Sequence, residues 1–188
     1  MKKTIYFITS NKGKALEAKT KFSTFNIELI QKNLGYPEIQ TDSLKEVALF
    51  GAQDVQKRFN KPFFLEDAGL FIEALNGFPG VYSAYTYHTI GYSGILKLLE
   101  HVDDNKRKAR FSSIIAYCEP DKTPIFFTGE CHGKISTKDL GNNGFGFDPI
   151  FVPDGEEKTF AQMETHEKNR FSHRGKSLEK LINFFENL

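Results

Sequence analysis

The 188-residue sequence predicts an α/β fold, one mixed β-sheet with helices on its faces. Three observations predict it. The chain opens on strand, loop and helix twice in succession. Its middle holds two β-rich runs around a turn, which read as a hairpin, and its end carries apolar residues at helical spacing. No internal repeat, low-complexity tract or long linker interrupts this order, so a single domain is expected over residues 1–188.

Taken in order, Lys3 to Ser10 is a short apolar run of strand character that stops at Ser10-Asn11-Lys12-Gly13. The helix behind it carries Leu16, Ala18, Phe22 and Phe25 as an approximate apolar stripe. Ile27 to Ile30 makes the second strand, which Gly35-Tyr36-Pro37 breaks. Ser43-x-x-Glu46 fits a capping box, and Leu44, Val47, Ala48, Val55 and Phe59 keep helical spacing after it. Lys61 to Leu65 is a third strand that runs into Glu66-Asp67-Ala68-Gly69, and Leu75 to Pro79-Gly80 is a turn region. Gly91 to Glu100 reads as a helix with Ile95, Leu96, Leu98 and Leu99 inward. Arg110 to Cys118 and Pro124 to Gly133 flank Glu119-Pro120-Asp121-Lys122 as a hairpin, and Gly141 to Gly146 is a glycine-rich loop. Ser177 to Leu188 closes the chain as a helix with Leu178, Leu181, Ile182 and Phe185 on one side.

Composition narrows the function classes. The 39% hydrophobic and 26% charged residues describe a globular chain rather than a disordered one. With 25 Lys+Arg against 24 Asp+Glu, the net charge of +1 argues against a broad basic face for a nucleic acid polymer. A few cations gathered in one cleft for a small anion scarcely alter that total. Four apolar residues, Ile5 to Ile8, are too few for a signal sequence, and no run approaches the roughly 18 needed to span a bilayer. Cys118 and Cys131 lack a C-x-x-C spacing and read as buried or idle thiols, with one disulfide between them left open. A cytoplasmic location is expected, with no membrane partner.

Four segments hold candidate chemistry. Thr9, Ser10, Asn11, Lys12, Gly13 and Lys14 sit where a strand end opens a helix, a place that offers free N–H groups to phosphate. The segment is not a P-loop, since Ile8 and Ala15 stand where that pattern needs Gly and Ser or Thr, and an ordinary capped turn fits it equally well. Glu66 and Asp67 end a buried strand, where adjacent carboxylates repel unless a cation or proton holds them. Their hard oxygens suit Mg²⁺, and Glu38 offers a third carboxylate; a solvated acidic loop is the alternative. Phe145, Gly146, Phe147 and Asp148 form an aromatic and glycine loop whose rings suit a planar base, or else the core. Lys168, His173 and Arg174 make a cationic cluster ahead of the last helix, suited to phosphate or base-edge oxygens, or else a solvated basic face. His88, His101, His132 and His166 lack zinc-site spacing.

In combination these segments carry a resemblance. Thr9-Ser10-Asn11-x-Gly13-Lys14, Glu66-Asp67-Ala68-Gly69-Leu70 and Leu75-Asn76-Gly77-Phe78-Pro79-Gly80-Val81-Tyr82-Ser83 are joined by Gly144-Phe145-Gly146-Phe147-Asp148-Pro149-Ile150-Phe151. Lys158-Thr159-Phe160-Ala161, Glu167-Lys168-Asn169 and Ser172-His173-Arg174-Gly175 follow, and the whole series resembles the inosine triphosphate pyrophosphatase family over nearly the full chain. The resemblance implies an elongated mixed sheet with two lobes and a central nucleotide cleft. It implies Mg²⁺-dependent hydrolysis of nonstandard purine nucleoside triphosphates (ITP, dITP, XTP) to monophosphate and pyrophosphate, by a homodimer. By the same resemblance Thr9 to Lys14 bind the triphosphate, Asp67 is the catalytic base, and Glu38, Glu66 and Asp67 hold the metal. Ala68 and Phe145 to Asp148 then belong to the substrate site, with Lys168, His173 and Arg174 on base and phosphate.

Three residues depart from the family pattern: Ala68 where many members have Ser, Gly51 where many have Lys, and Tyr85 where bacterial members often have Arg. These bear on triphosphate affinity and rate more than on reaction type. Two other readings stand beside the enzyme, a purine-nucleotide sensor without turnover and a metal-dependent phosphatase acting on other nucleotides.

Overall fold

The protein is described here by a computed structural model over residues 3–187, so Met1, Lys2 and Leu188 lie outside the described residues. Seven strands make one sheet: β1 (Lys3–Ile8), β2 (Ile27–Lys32), β3 (Phe63–Ile72), β4 (Pro79–Gly80), β5 (Lys108–Cys118), β6 (Ile125–Ile135) and β7 (Phe151–Pro153). Their order is β2-β1-β3-β5-β6-β7, with β4 beside β3. β1 pairs parallel with β2 and β3, and the remaining pairs are antiparallel, so the sheet is mixed as the sequence predicts.

The helices are α1 (Lys12–Phe22), α2 (Leu44–Gln56), α3 (Ser83–Thr89), α4 (Gly91–Leu98), α5 (Thr165–Lys168) and α6 (His173–Glu186). Strand alternation sorts them onto two faces. Phe7, Phe64, Ile115 and Tyr117 pack against Ala18 and Phe22 of α1 and Leu178, Leu181 and Ile182 of α6. Ile8, Phe63, Leu65, Ile114 and Ala116 point the other way, onto Ala48, Ala52 and Val55 of α2. The long strands then continue into a third cluster, where Leu70, Ile72, Ala109 and Phe111 meet Ile95, Phe147, Phe151 and Phe160. Two lobes therefore share the same strands, and the stretch between them falls at Glu66 to Gly69.

That stretch also has an open edge. β1 reaches β3 only at Phe63 and Phe64, and β4 rejoins it at Leu70, so Leu65 to Gly69 have no strand neighbour on the β1 side. The cleft opens along this gap.

Several expectations need correction. Glu66 and Asp67 do not follow the third strand; they lie inside it, because β3 pairs with β5 without a break from Phe63 to Ile72. The apolar run ends at Leu65 only because the next positions face the cleft and not the lobes. Leu16 and Leu98, expected inward, are 58% and 52% exposed. The last helix begins four residues before the expected Ser177, capped by Ser172, whose Oγ accepts from the Gly175 N–H at 3.1 Å. α3 was not foreseen. Cys118 and Cys131 are free and buried, and burial pushes their thiols up to about 12 and about 11, which leaves them inert. Among the described residues no helix is long and apolar enough to cross a membrane.

Candidate active site

β1 ends at Ile8 and α1 begins at Lys12, so residues 9–11 turn across the open edge of β3. Asn11 caps the helix by accepting the Lys14 N–H on Oδ1 at 3.0 Å, and its own N–H donates to Thr9 Oγ1 at 3.1 Å. This cap aims Lys14 at the strand. Its Nζ donates to the main-chain oxygen of Glu66 at 2.8 Å, a carbonyl left free by the gap, and meets Glu66 Oε2 at 2.9 Å.

Glu66 and Asp67 are neighbours in sequence but point to opposite faces of the sheet. Glu66 faces α1 and α6, where Arg174 Nη2 stands 3.2 Å from Oε1 and Ser113 Oγ donates to Oε1 at 2.7 Å. Ser177 Oγ lies 2.9 Å from Ser113 Oγ and donates to the Arg174 carbonyl at 3.1 Å. Burial pushes the Glu66 carboxyl up, but Arg174 and Lys14 overcome it and hold the group well below the usual carboxylate range. Both oxygens of Glu66, the carboxylate expected at a metal, have protein partners, and the group ties Lys14 to Arg174.

A second carboxylate completes the tie. Glu17 of α1, 3% exposed, takes Lys168 Nζ at 2.6 Å and Arg174 Nη1 at 2.5 Å, and its carbonyl accepts from Asn169 Nδ2 at 2.8 Å. Lys168 also meets Asp148 Oδ2 at 2.6 Å, and the same oxygen accepts the Phe145 N–H at 2.9 Å. Glu17, Glu66 and Asp148 thus neutralise Lys14, Lys168 and Arg174 in one buried network. Sequence reasoning missed Glu17. Its signal was a lone acid between Ala15, Ala18 and Phe22, positions that α1 buries.

Asp67 faces α2 and has a different environment. Oδ2 is buried without a hydrogen-bond partner, and Oδ1 lies 3.5 Å from the Tyr36 hydroxyl. Burial, with the repulsion of Glu66 and Glu38, pushes its carboxyl up to about 7 against the pull of Lys14.

Two cavities meet here. One, of about 230 Å³, is lined by Asn11, Tyr87, Phe145, Phe147, Lys168 and Arg174 among others. The other, of about 210 Å³, is lined by Glu38, Asp67, Tyr82 and Tyr85. Lys14, Ala68 and Ala84 belong to both walls, so they form one cleft with an aromatic chamber and an acidic chamber. Phe145 lies flat on the backbone of Gly13, where an added Cβ would come within 2.3 Å of its ring. His173 stacks on Phe111 at 4.6 Å and 11°, and burial beside Arg174 pushes its imidazole well down, so it enters the cleft wall neutral. Its Nδ1, like Arg174 Nε, is buried with no protein partner.

The structure therefore brings together Asn11, Lys14, Ala68, Phe145, Gly146, Phe147, Asp148, Lys168, His173 and Arg174 in the aromatic chamber, and Glu38 with Asp67 in the acidic one. Thr9, Ser10, Lys12 and Gly13 do not line either wall; Thr9 and Gly13 act through the turn and the Phe145 contact. Among the described residues no group of three His, Cys, Asp or Glu side chains stands close enough to hold a metal ion unaided.

Comparison with known proteins identifies relatives along nearly the whole chain. The family model described as the Ham1 family matches residues 5–184. The dITP/XTP pyrophosphatase of Thermococcus kodakarensis is 54% identical over 97% of this chain and 97% of its own. That of Methanopyrus kandleri is 49% identical over 97% and 96%. The solved structure of a HAM1 protein from Coxiella burnetii superposes with a TM-score of 0.83 at 31% identity, covering 99% of this chain and all of the other.

Proposed function

Since the chain belongs to the Ham1 family, we propose that it hydrolyses nonstandard purine nucleoside triphosphates, ITP, dITP and XTP, to the nucleoside monophosphate and pyrophosphate. The observation that carries this reading is the division of one cleft into an aromatic chamber and an acidic chamber with Lys14 on their common wall. A purine fills the first against Phe145, and the triphosphate crosses Lys14 into the second.

Water attacks the α-phosphorus: its oxygen forms the new P–O bond, the bond to the β-phosphate bridging oxygen breaks, and Asp67 Oδ2 takes the proton. Oδ2 suits this role because no protein donor competes for it. Lys14 neutralises charge on the phosphates, while Glu66 fixes its position. Mg²⁺ fits the acidic chamber, where the carboxylates of Glu38 and Asp67 are hard oxygen donors that would hold it. When bound, the ion supplies charge neutralisation and a lowered pKa for water. Glu66 is left out of its ligand set because Lys14, Arg174 and Ser113 already occupy both oxygens.

Base selection rests on donors. Arg174 has its Nη atoms on Glu17 and Glu66 and keeps Nε–H unpartnered. A 6-oxo purine satisfies such a donor and the 6-amino group of ATP does not, which discriminates by up to roughly 10⁴-fold. Rejection of GTP, also a 6-oxo purine, must act at its 2-amino group.

The test is product analysis with ITP, dITP, XTP, ATP and GTP, with Mg²⁺ and with chelator. Pyrophosphate from the first three, at a kcat/KM at least about 100-fold above ATP and lost with chelator, is expected. Orthophosphate as product, or equal rates on ATP, indicates the phosphatase reading; binding without turnover indicates the sensor.

A homodimer and a cytoplasmic setting belong to the same reading. Phe78, Tyr82, Tyr85 and Ile90 are exposed around α3, with Tyr85 at 71%, an apolar face beside the acidic chamber that a second copy would cover. Sedimentation is expected to give twice the chain mass, and Tyr85→Asp to halve it. A wild-type monomer at micromolar concentration would remove the dimer.

A further inference from the structure

We propose that Tyr36 is a positioning residue for Asp67, its hydroxyl holding Oδ1 so that Oδ2 is left for the reacting water, and that Gly51 is the seat that lets the ring reach it. The inference rests on the proposed role of Asp67 as base.

The Tyr36 hydroxyl, 3.5 Å from Oδ1, is the one hydrogen-bond partner of the Asp67 side chain among the described residues. The other oxygen has none. The two oxygens therefore differ in the folded protein although they are equivalent in the free side chain. A carboxylate turns readily about its last torsion, and a donor fixed on one oxygen orients the plane and aims the second. The separation is long, as such contacts often are before substrate closes the site.

The ring's own seat is unusual. Tyr36 stands between Gly35 and Pro37, and the following proline restricts it to extended backbone. That carries its ring across α2, where it lies on Gly51: an added Cβ at 51 would come 2.6 and 2.8 Å from two ring carbons. Gly51 lies on the buried side of α2 with Val47, Ala48, Ala52 and Val55. Glycine inside a helix destabilises it relative to alanine, so the position gains something other than helix stability. A longer side chain at position 51 and the Tyr36 ring would occupy the same space.

Tyr36→Phe keeps the ring and removes only the hydroxyl. Its kcat on ITP is expected to fall about tenfold, with KM within about twofold and the thermal midpoint unchanged. Gly51→Ala displaces the ring and is expected to lower kcat similarly, and the double variant to be no slower than Tyr36→Phe alone. Full kcat in Tyr36→Phe overturns the proposal. So does a Gly51→Ala loss that persists undiminished in the Tyr36→Phe background. Asp67→Asn separates the two readings: turnover retained there overturns both, whereas an inactive Asp67→Asn beside a fully active Tyr36→Phe overturns this one alone.

Discussion

Asp67→Asn is expected to lose turnover by about 10³-fold and, in the metal-free protein, to be more stable than wild type above pH 7. The two effects have one cause. Burial and the nearby Glu66 and Glu38 carboxylates raise Asp67 from an ordinary 3.8 to about 7, so the folded chain binds this proton more tightly than the unfolded chain does. Stability from that protonation is fully present below pH 4 and is lost as pH rises through 7, where an ionised group must remain buried with one oxygen unpartnered. An asparagine has nothing to titrate. The variant's advantage should therefore be near zero at pH 4 and reach on the order of 2–4 kcal/mol at pH 8. Urea unfolding of both proteins at the two pH values measures it. An advantage independent of pH would mean that Asp67 is not held ionised against its surroundings, and retained pyrophosphate release would remove it as the base.

The parts of this site that were legible in the sequence are those whose partners are close in the chain. Asn11 and Lys14 form one cap, and Phe145 and Asp148 meet within a single turn. Repulsion between Glu66 and Asp67 was legible as well, but its resolution was not. The apolar run stops at Leu65, which suggests a strand end, yet pairing with β5 continues to Ile72 and sends the two acids to opposite faces. Only that alternation separates the carboxylate tied to Lys14 and Arg174 from the one left with an unpartnered oxygen. α3 escaped notice because Ser-Ala-Tyr-Thr-Tyr-His-Thr has no apolar period; its order comes from packing at β4 and from the Ser83 hydroxyl, which donates to the Gly80 carbonyl at 2.7 Å and accepts the Leu70 N–H at 2.8 Å. Glu17 escaped because its partners Lys168 and Arg174 lie 151 and 157 residues away.

Glu17→Ala should be the most damaging substitution outside the acidic chamber, and the reason is burial rather than contact length. Lys97 and Glu100 approach to 2.5 Å, the same as Arg174 and Glu17, but they are 76% and 50% exposed. Water already solvates each of them, and such pairs contribute about 0–1 kcal/mol. Glu17, Lys168 and Arg174 are 4%, 3% and 3% exposed at their side chains. Removing Glu17 leaves Asp148 and Glu66 to balance Lys14, Lys168 and Arg174, so one buried positive charge has no counterpart. Breaking such a network costs about 3–5 kcal/mol, and denaturant unfolding should show it. Selectivity should fall as well, because Arg174 is held from two sides and keeps only Glu66 after the change; the ratio of kcat/KM on ITP to that on ATP is expected to drop about tenfold. Glu17→Ala combined with Lys168→Met removes one charge of each sign and should recover part of the stability but not the selectivity. A cost of Glu17→Ala below about 1 kcal/mol would mean that water enters the network and solvates the cations, and that Arg174 is placed by Glu66 alone.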